Sequence, residues 1–150
     1  MTRMRVSHKV SAVLLAAAIF PTSAFATDPE TVAVPTEMDY SRAAETVDPI
    51  ISNLKANKFQ DAVELAFESN PLVGNMKSQI SVLVGQITTV AEIYGPIQQC
   101  ELAERSHLGS LMIRLTYVCQ HENYLTRWHF KIARITKGNT IMSMDFADAS

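Results

Sequence analysis

Alternate positions between 105 and 131 put four cations and two histidines on one side of the expected strands: Arg105, His107, Arg114, Arg127, His129 and Lys131. On one surface they would form an oxyanion site, because the planar arginine fork grips carboxylate or phosphate bidentately and lysine adds a point charge. The plainer reading is a solvated sheet face that must be polar in any case. A second chemistry would centre on Glu104 and Tyr117. A carboxylate placed among Leu102, Ile113 and Leu115 would be desolvated, and a raised pKa suits a general base. No catalytic residue is assigned, because the chain has no glycine-rich phosphate loop, serine elbow or paired-carboxylate spacing. His107, His121 and His129 make a weak metal set, with no accompanying carboxylate. Neither a metal nor a cofactor is expected.

The elements that must position these residues are strands. Gly109-Ser110 is a two-residue hairpin signal, since glycine accepts the positive φ of a type II′ turn. With those two residues in the loop, Ser106 faces Ile113, Glu104 faces Leu115, Leu102 faces Tyr117 and Cys100 faces Cys119. Arg105 then aligns with Arg114 on the opposite face. The chain's two cysteines therefore meet without adjustment, which predicts a Cys100–Cys119 disulfide. The hydrogen-bonded spacing of such a pair is about 5.5 Å between Cα atoms. A second turn at Glu122-Asn123 pairs Tyr117 with Trp128, Leu115 with Phe130 and Ile113 with Ile132. A three-residue loop at 137–139 pairs Ile132 with Met144 and Phe130 with Phe146. All three hairpins place one apolar set on one face. The result is a four-stranded antiparallel meander with one buried face.

Before the strands the apolar period is helical. Ala43, Val47, Ile50 and Leu54 mark a helix that either kinks at Pro49 or restarts there with Asp48 as its cap. Phe59, Ala62, Val63 and Ala66 mark a second, ending at Ser69-Asn70-Pro71. Met76, Ile80, Leu83, Ile87, Val90 and Tyr94 mark a third, with Asn75 as its expected N-cap and Gly95-Pro96 as its stop.

Residues 1–26 have the form of a secretory signal. Arg3, Arg5 and Lys9 precede an apolar run from Val10 to Phe20, and Ala24-Phe25-Ala26 offers a cleavage site before Thr27. Residues 27–38 read as a flexible leader and 39–150 as a single domain. Without the signal, 10 basic residues stand against 15 acidic ones, net −5. That balance argues against general nucleic-acid binding. Nothing after the signal is long and apolar enough to span a bilayer. The expected location is periplasmic or extracellular, a compartment where a disulfide persists.

Two or three helices followed by a curved meander resemble the cystatin-like α+β roll, which the nuclear-transport-factor-2-like (cone-shaped) proteins share. The residues carrying this resemblance are Tyr94-Gly-Pro-Ile-Gln-Gln-Cys-Glu101, Leu108-Gly109, Arg127-Trp-His-Phe130 and Met144-Asp-Phe146. They resemble small secreted bacterial members of that group with no assigned activity. The likeness covers roughly 39–147, and its motifs are structural. Isomerase and dehydratase relatives place acidic residues, His or Tyr between sheet and helices, where Glu104 and Tyr117 would lie. A cystatin-type inhibitor would need a Q-x-V-x-G hairpin, and Gln79–Gly85 has the wrong spacing within a helix.

The sequence thus points to an α+β domain, two to three helices on one face of a four-stranded meander. The leading expectation is an exported binding or accessory domain for an unidentified protein or small anionic ligand. The alternatives are a cavity enzyme using Glu104 and a homodimer formed through the sheet.

Overall fold

The computed structural model describes residues 39–136 and 138–149. Its elements run α1 (Tyr40–Lys55), α2 (Phe59–Phe67), a 3-10 turn (Val73–Asn75), α3 (Lys77–Tyr94), β1 (Ile97–Leu108), β2 (Met112–His121), β3 (Leu125–Ile135) and β4 (Gly138–Asp148). The strands form one antiparallel sheet in the order β1-β2-β3-β4. The expected α+β class, with three helices ahead of a meander, is what the chain adopts. The signal and leader, residues 1–38, lie outside the described residues, as does Lys137.

The first helix begins where Asp39 accepts a hydrogen bond from the Ser41 backbone N–H at 2.9 Å. It continues through Pro49 without restarting. Proline removes one backbone donor, and both Pro49 and Glu45, four residues earlier, lie on the solvent side where water can serve the freed carbonyl. Asn57 then takes φ 57°, a left-handed conformation that asparagine tolerates, and turns the chain into α2. Asn70 is buried. Its side chain accepts from the Leu72 N–H at 2.9 Å and donates to the Ile141 carbonyl at 3.1 Å, pinning the loop after α2 to β4. Asn75 is not the cap of α3. It ends the 3-10 turn, and Met76 precedes the helix without a side-chain cap.

The core lies between the helices and one sheet face. Val47, Ile50 and Leu54 from α1, Val63 and Phe67 from α2, and Ile80 and Ile87 from α3 meet Ile113, Leu115, Trp128, Phe130, Ile132 and Ile141. At roughly 1.5–3 kcal/mol per fully buried large apolar side chain, this layer is the main force holding helices to sheet.

At Gly95 three elements join. Its φ of 84° ends α3, and a Cβ there would stand 2.7 Å from the Glu122 Cβ, so only glycine fits. The turn after β2 docks on this corner through Glu122 N–H to Pro96 O and Asn123 N–H to Tyr94 O. Buried His121 sits alongside. Its Nδ1 donates to the Gly95 carbonyl at 2.8 Å, because a carbonyl can only accept. Nε2 therefore accepts from the Thr126 hydroxyl at 3.0 Å, and Thr126 in turn accepts from Trp128 Nε1–H at 2.9 Å.

Two expected registers are corrected. The β2–β3 pairs agree with expectation, including Tyr117 with Trp128. In β1–β2, Leu102–Tyr117 and Cys100–Cys119 also hold, but the tip is a three-residue loop, 109–111, closed by Leu108 and Met112. A bulge at Ala103 absorbs the extra residue, and from Glu104 to Leu108 every side chain changes face. Ser106 pairs with Arg114 and His107 with Ile113. In β3–β4, the turn is closed by Ile135 and Gly138, and Ile132 pairs with Ile141 rather than Met144. A bulge at Met142 then brings Phe130 opposite Met144 and Trp128 opposite Phe146. Ile141 takes the buried position expected of Met142, which is exposed.

Candidate functional site

The Ala103 bulge redistributes the candidate residues. Arg114, Arg127, His129 and Lys131 lie on the outer face, away from the helices, as expected. Arg105 and His107 do not: they pair with Leu115 and Ile113 and turn toward the helix side. Glu104 moves the other way. It pairs with Thr116 on the outer face and forms an ion pair with Arg114 at 3.6 Å. Glu104 and Tyr117 therefore lie on opposite faces and share no cavity.

The outer face is a set of rows running across the strands. One row reads Ser106, Arg114, Lys131, Ser143, and the next reads Glu104, Thr116, His129, Asp145. Thr116 Oγ1 and His129 Nδ1 are 3.1 Å apart. The face is thus mixed in charge rather than basic, with Glu104 and Asp145 interleaved among the cations.

On the helix side, Arg105, His107 and Tyr117 gather at the α1 seam. The Tyr40 and His107 rings are 4.6 Å apart. Tyr117 donates to Asp48 Oδ1 at 3.4 Å. Its pKa is pushed up to about 12, first by burial and then by the Asp48 charge and hydrogen bond, with Arg105 acting in the opposite sense. Tyr117 is thereby held protonated as a donor.

A groove of about 330 Å³ opens at the other edge of the sheet, between α3 and β4. Phe67, Met76, Ile80, Leu83, Met144 and Phe146 form its apolar wall, and the Gln79 and Gln86 amides belong to its polar part. Asp145 is its one charged lining residue. The sequence offered no sign of this groove, because it depends on how α3 stands against the last strand.

Cys100 and Cys119 are bonded, with Cα atoms 4.0 Å apart. That is nearer the close spacing of a non-hydrogen-bonded pair, about 4.5 Å, than the expected 5.5 Å. The bulge between tip and cysteines changes the count. Among the described residues, no three His, Cys, Asp or Glu side chains converge on a metal-sized site. His107 meets α1, His121 is bonded to Gly95 and Thr126, and His129 is on the outer face. No described helix is long and apolar enough to cross a membrane. No family model matches the chain, and neither does any curated protein or solved structure.

Proposed function

We propose that this chain is an exported, non-enzymatic binding domain that takes a small, mostly apolar ligand in the α3–β4 groove. The carrying observation is the groove itself: a concave apolar wall beside a sheet edge, with two amides to orient a ligand. Its volume sits at the lower end of small-molecule sites, roughly 300–1,000 Å³. Its lining includes no cation and one carboxylate, which favours a neutral ligand. Burying about 200 Å² of ligand apolar surface gives roughly 5 kcal/mol before the cost of association, so affinity of about 0.2 mM or weaker is expected from that term alone. Export rests on the signal pattern of residues 1–26 together with the disulfide, which persists in oxidising compartments. The cystatin-like roll is the fold this reading adopts, on the order of helices and meander.

The test is a titration of residues 27–150 with the neutral fluorophore N-phenyl-1-naphthylamine. One saturable site is expected, and Leu83→Trp, which fills the groove, should weaken it by about tenfold or more. Binding that never saturates, or that Leu83→Trp leaves unchanged in a protein with unaltered circular dichroism, refutes the assignment.

A further inference from the structure

Four polar side-chain atoms are closed off from solvent and have no hydrogen-bond partner among the described residues: Ser106 Oγ, Arg114 Nε, Thr140 Oγ1 and Ser143 Oγ. The pairing gathers them. Ser106, Arg114 and Ser143 share one row of the outer face with Lys131, and Thr140 lies in the adjacent row, opposite Ala133. Thr140 is fully buried. Buried polar groups in folded proteins are nearly always paired, and each orphan costs roughly 1–3 kcal/mol. Three of the four share one row, and a ligand that supplied acceptors there would relieve those three.

Every member of the row can donate. Arginine Nε and the lysine ammonium are donors only, and the serine hydroxyls donate as readily as they accept. Glu104 occupies one terminal nitrogen of Arg114, leaving Nε unused. Lys131 has no ion pair among the described residues. Arg114 and Lys131 are direct cross-strand partners on strands about 4.8 Å apart, so both long side chains can reach one anion above the row. Ser106 stands one strand beyond Arg114, and Ser143 one strand beyond Lys131. A convergent set of donors with two positive charges calls for an acceptor-only, negatively charged group.

We propose that the outer sheet face binds a phosphate or sulfate group over Arg114 and Lys131, with Ser106 and Ser143 as flanking hydroxyl donors once the side chains that close them off from solvent swing aside. This site is independent of the groove, although Ser143 also lines that groove and places the two side by side. Glu104 and Asp145 stand in the next row, and Glu104 competes with the anion for Arg114.

The experiment is calorimetric and thermal-shift titration of residues 27–150 with inorganic phosphate, inorganic sulfate and acetate, each against chloride at the same ionic strength. Phosphate and sulfate should bind saturably and raise the melting temperature, and acetate should do neither. Lys131→Gln and Arg114→Gln should each weaken phosphate binding by about tenfold. Glu104→Gln should tighten it, a change that a purely structural role for the row would not produce. Lys131 is the safer variant for folding, because its side chain makes no ion pair to lose. Phosphate indistinguishable from chloride, acetate equal to phosphate, or full affinity in correctly folded Lys131→Gln would each overturn the proposal. None of these outcomes bears on the neutral fluorophore, so the two readings fail separately.

Discussion

Replacing Thr126 by valine tests the hydrogen-bonded chain that fastens the sheet to the end of α3. Thr126 is fully buried. Its hydroxyl donates to His121 Nε2 and accepts from Trp128 Nε1–H, while His121 Nδ1 holds the Gly95 carbonyl. Valine keeps the volume and removes the oxygen, leaving two buried groups without partners. At roughly 1–3 kcal/mol for each orphan, less what is recovered by not burying a hydroxyl, the expected loss is about 2–4 kcal/mol. For a domain of this size that corresponds to a fall of about 10 °C in melting temperature. Urea unfolding followed by tryptophan fluorescence should show a lower midpoint with an unchanged slope. Thr126→Ser keeps the oxygen and should recover most of the loss. In Trp128→Phe/Thr126→Val one orphan is gone, so the double variant should lose less than the sum of the singles. A Thr126→Val protein within about 0.5 kcal/mol of the parent, or strictly additive singles, would show that these contacts carry no coupled energy.

Gly95→Ala should destabilise by roughly 1–3 kcal/mol from backbone strain alone, with more from the Glu122 contact, as read by thermal unfolding. Opening the 19-residue separation between Cys100 and Cys119 with paired serines should cost about 3 kcal/mol in urea unfolding, by the loop-entropy estimate. Tyr117 should titrate near 12 by ultraviolet absorbance, above the usual 10. The unfolded chain then releases this proton first, so Tyr117's contribution to stability is complete below about pH 10 and is lost as pH rises toward 12. Tyr117→Phe should remove that alkaline dependence. Asn70→Ala should lower stability by roughly 1–3 kcal/mol, because it frees the buried Ile141 carbonyl and the Leu72 N–H together.

What was legible in the sequence follows the strength of the apolar alternation. Strands β2 and β3 place Ile113, Leu115 and Tyr117 against Ile132, Phe130 and Trp128, and a one-residue slip would expose all of them. That register was therefore legible from the apolar alternation together with the turn at Glu122-Asn123. Strand β4 was less constrained, because Ile141 and Met142 are adjacent and both apolar, so either suits the buried position. The groove and the row of orphaned donors were not legible, since both arise only when particular strands and helices become neighbours. Serines at 106 and 143 lie 37 positions apart, and nothing but the completed sheet puts them in one line.

The face change in β1 has a physical cause. From Glu104 to His107 both faces of the strand are polar, so hydrophobic pattern cannot choose between them. A two-residue turn without a bulge would set Glu104 toward the helices, beside Tyr117. Asp48 already stands there, bonded to the Tyr117 hydroxyl. A second carboxylate in that half-buried seam would be both desolvated and repelled by the first. The three-residue tip with a bulge at Ala103 reverses the signs. It turns Arg105 toward the Asp48–Tyr117 pair, brings His107 against the Tyr40 ring, and sends Glu104 out to meet Arg114. Electrostatics at the α1 seam thus favour the observed register where apolar burial leaves it open. The same choice converts an expected basic face into the mixed rows on which Arg114 and Lys131 stand.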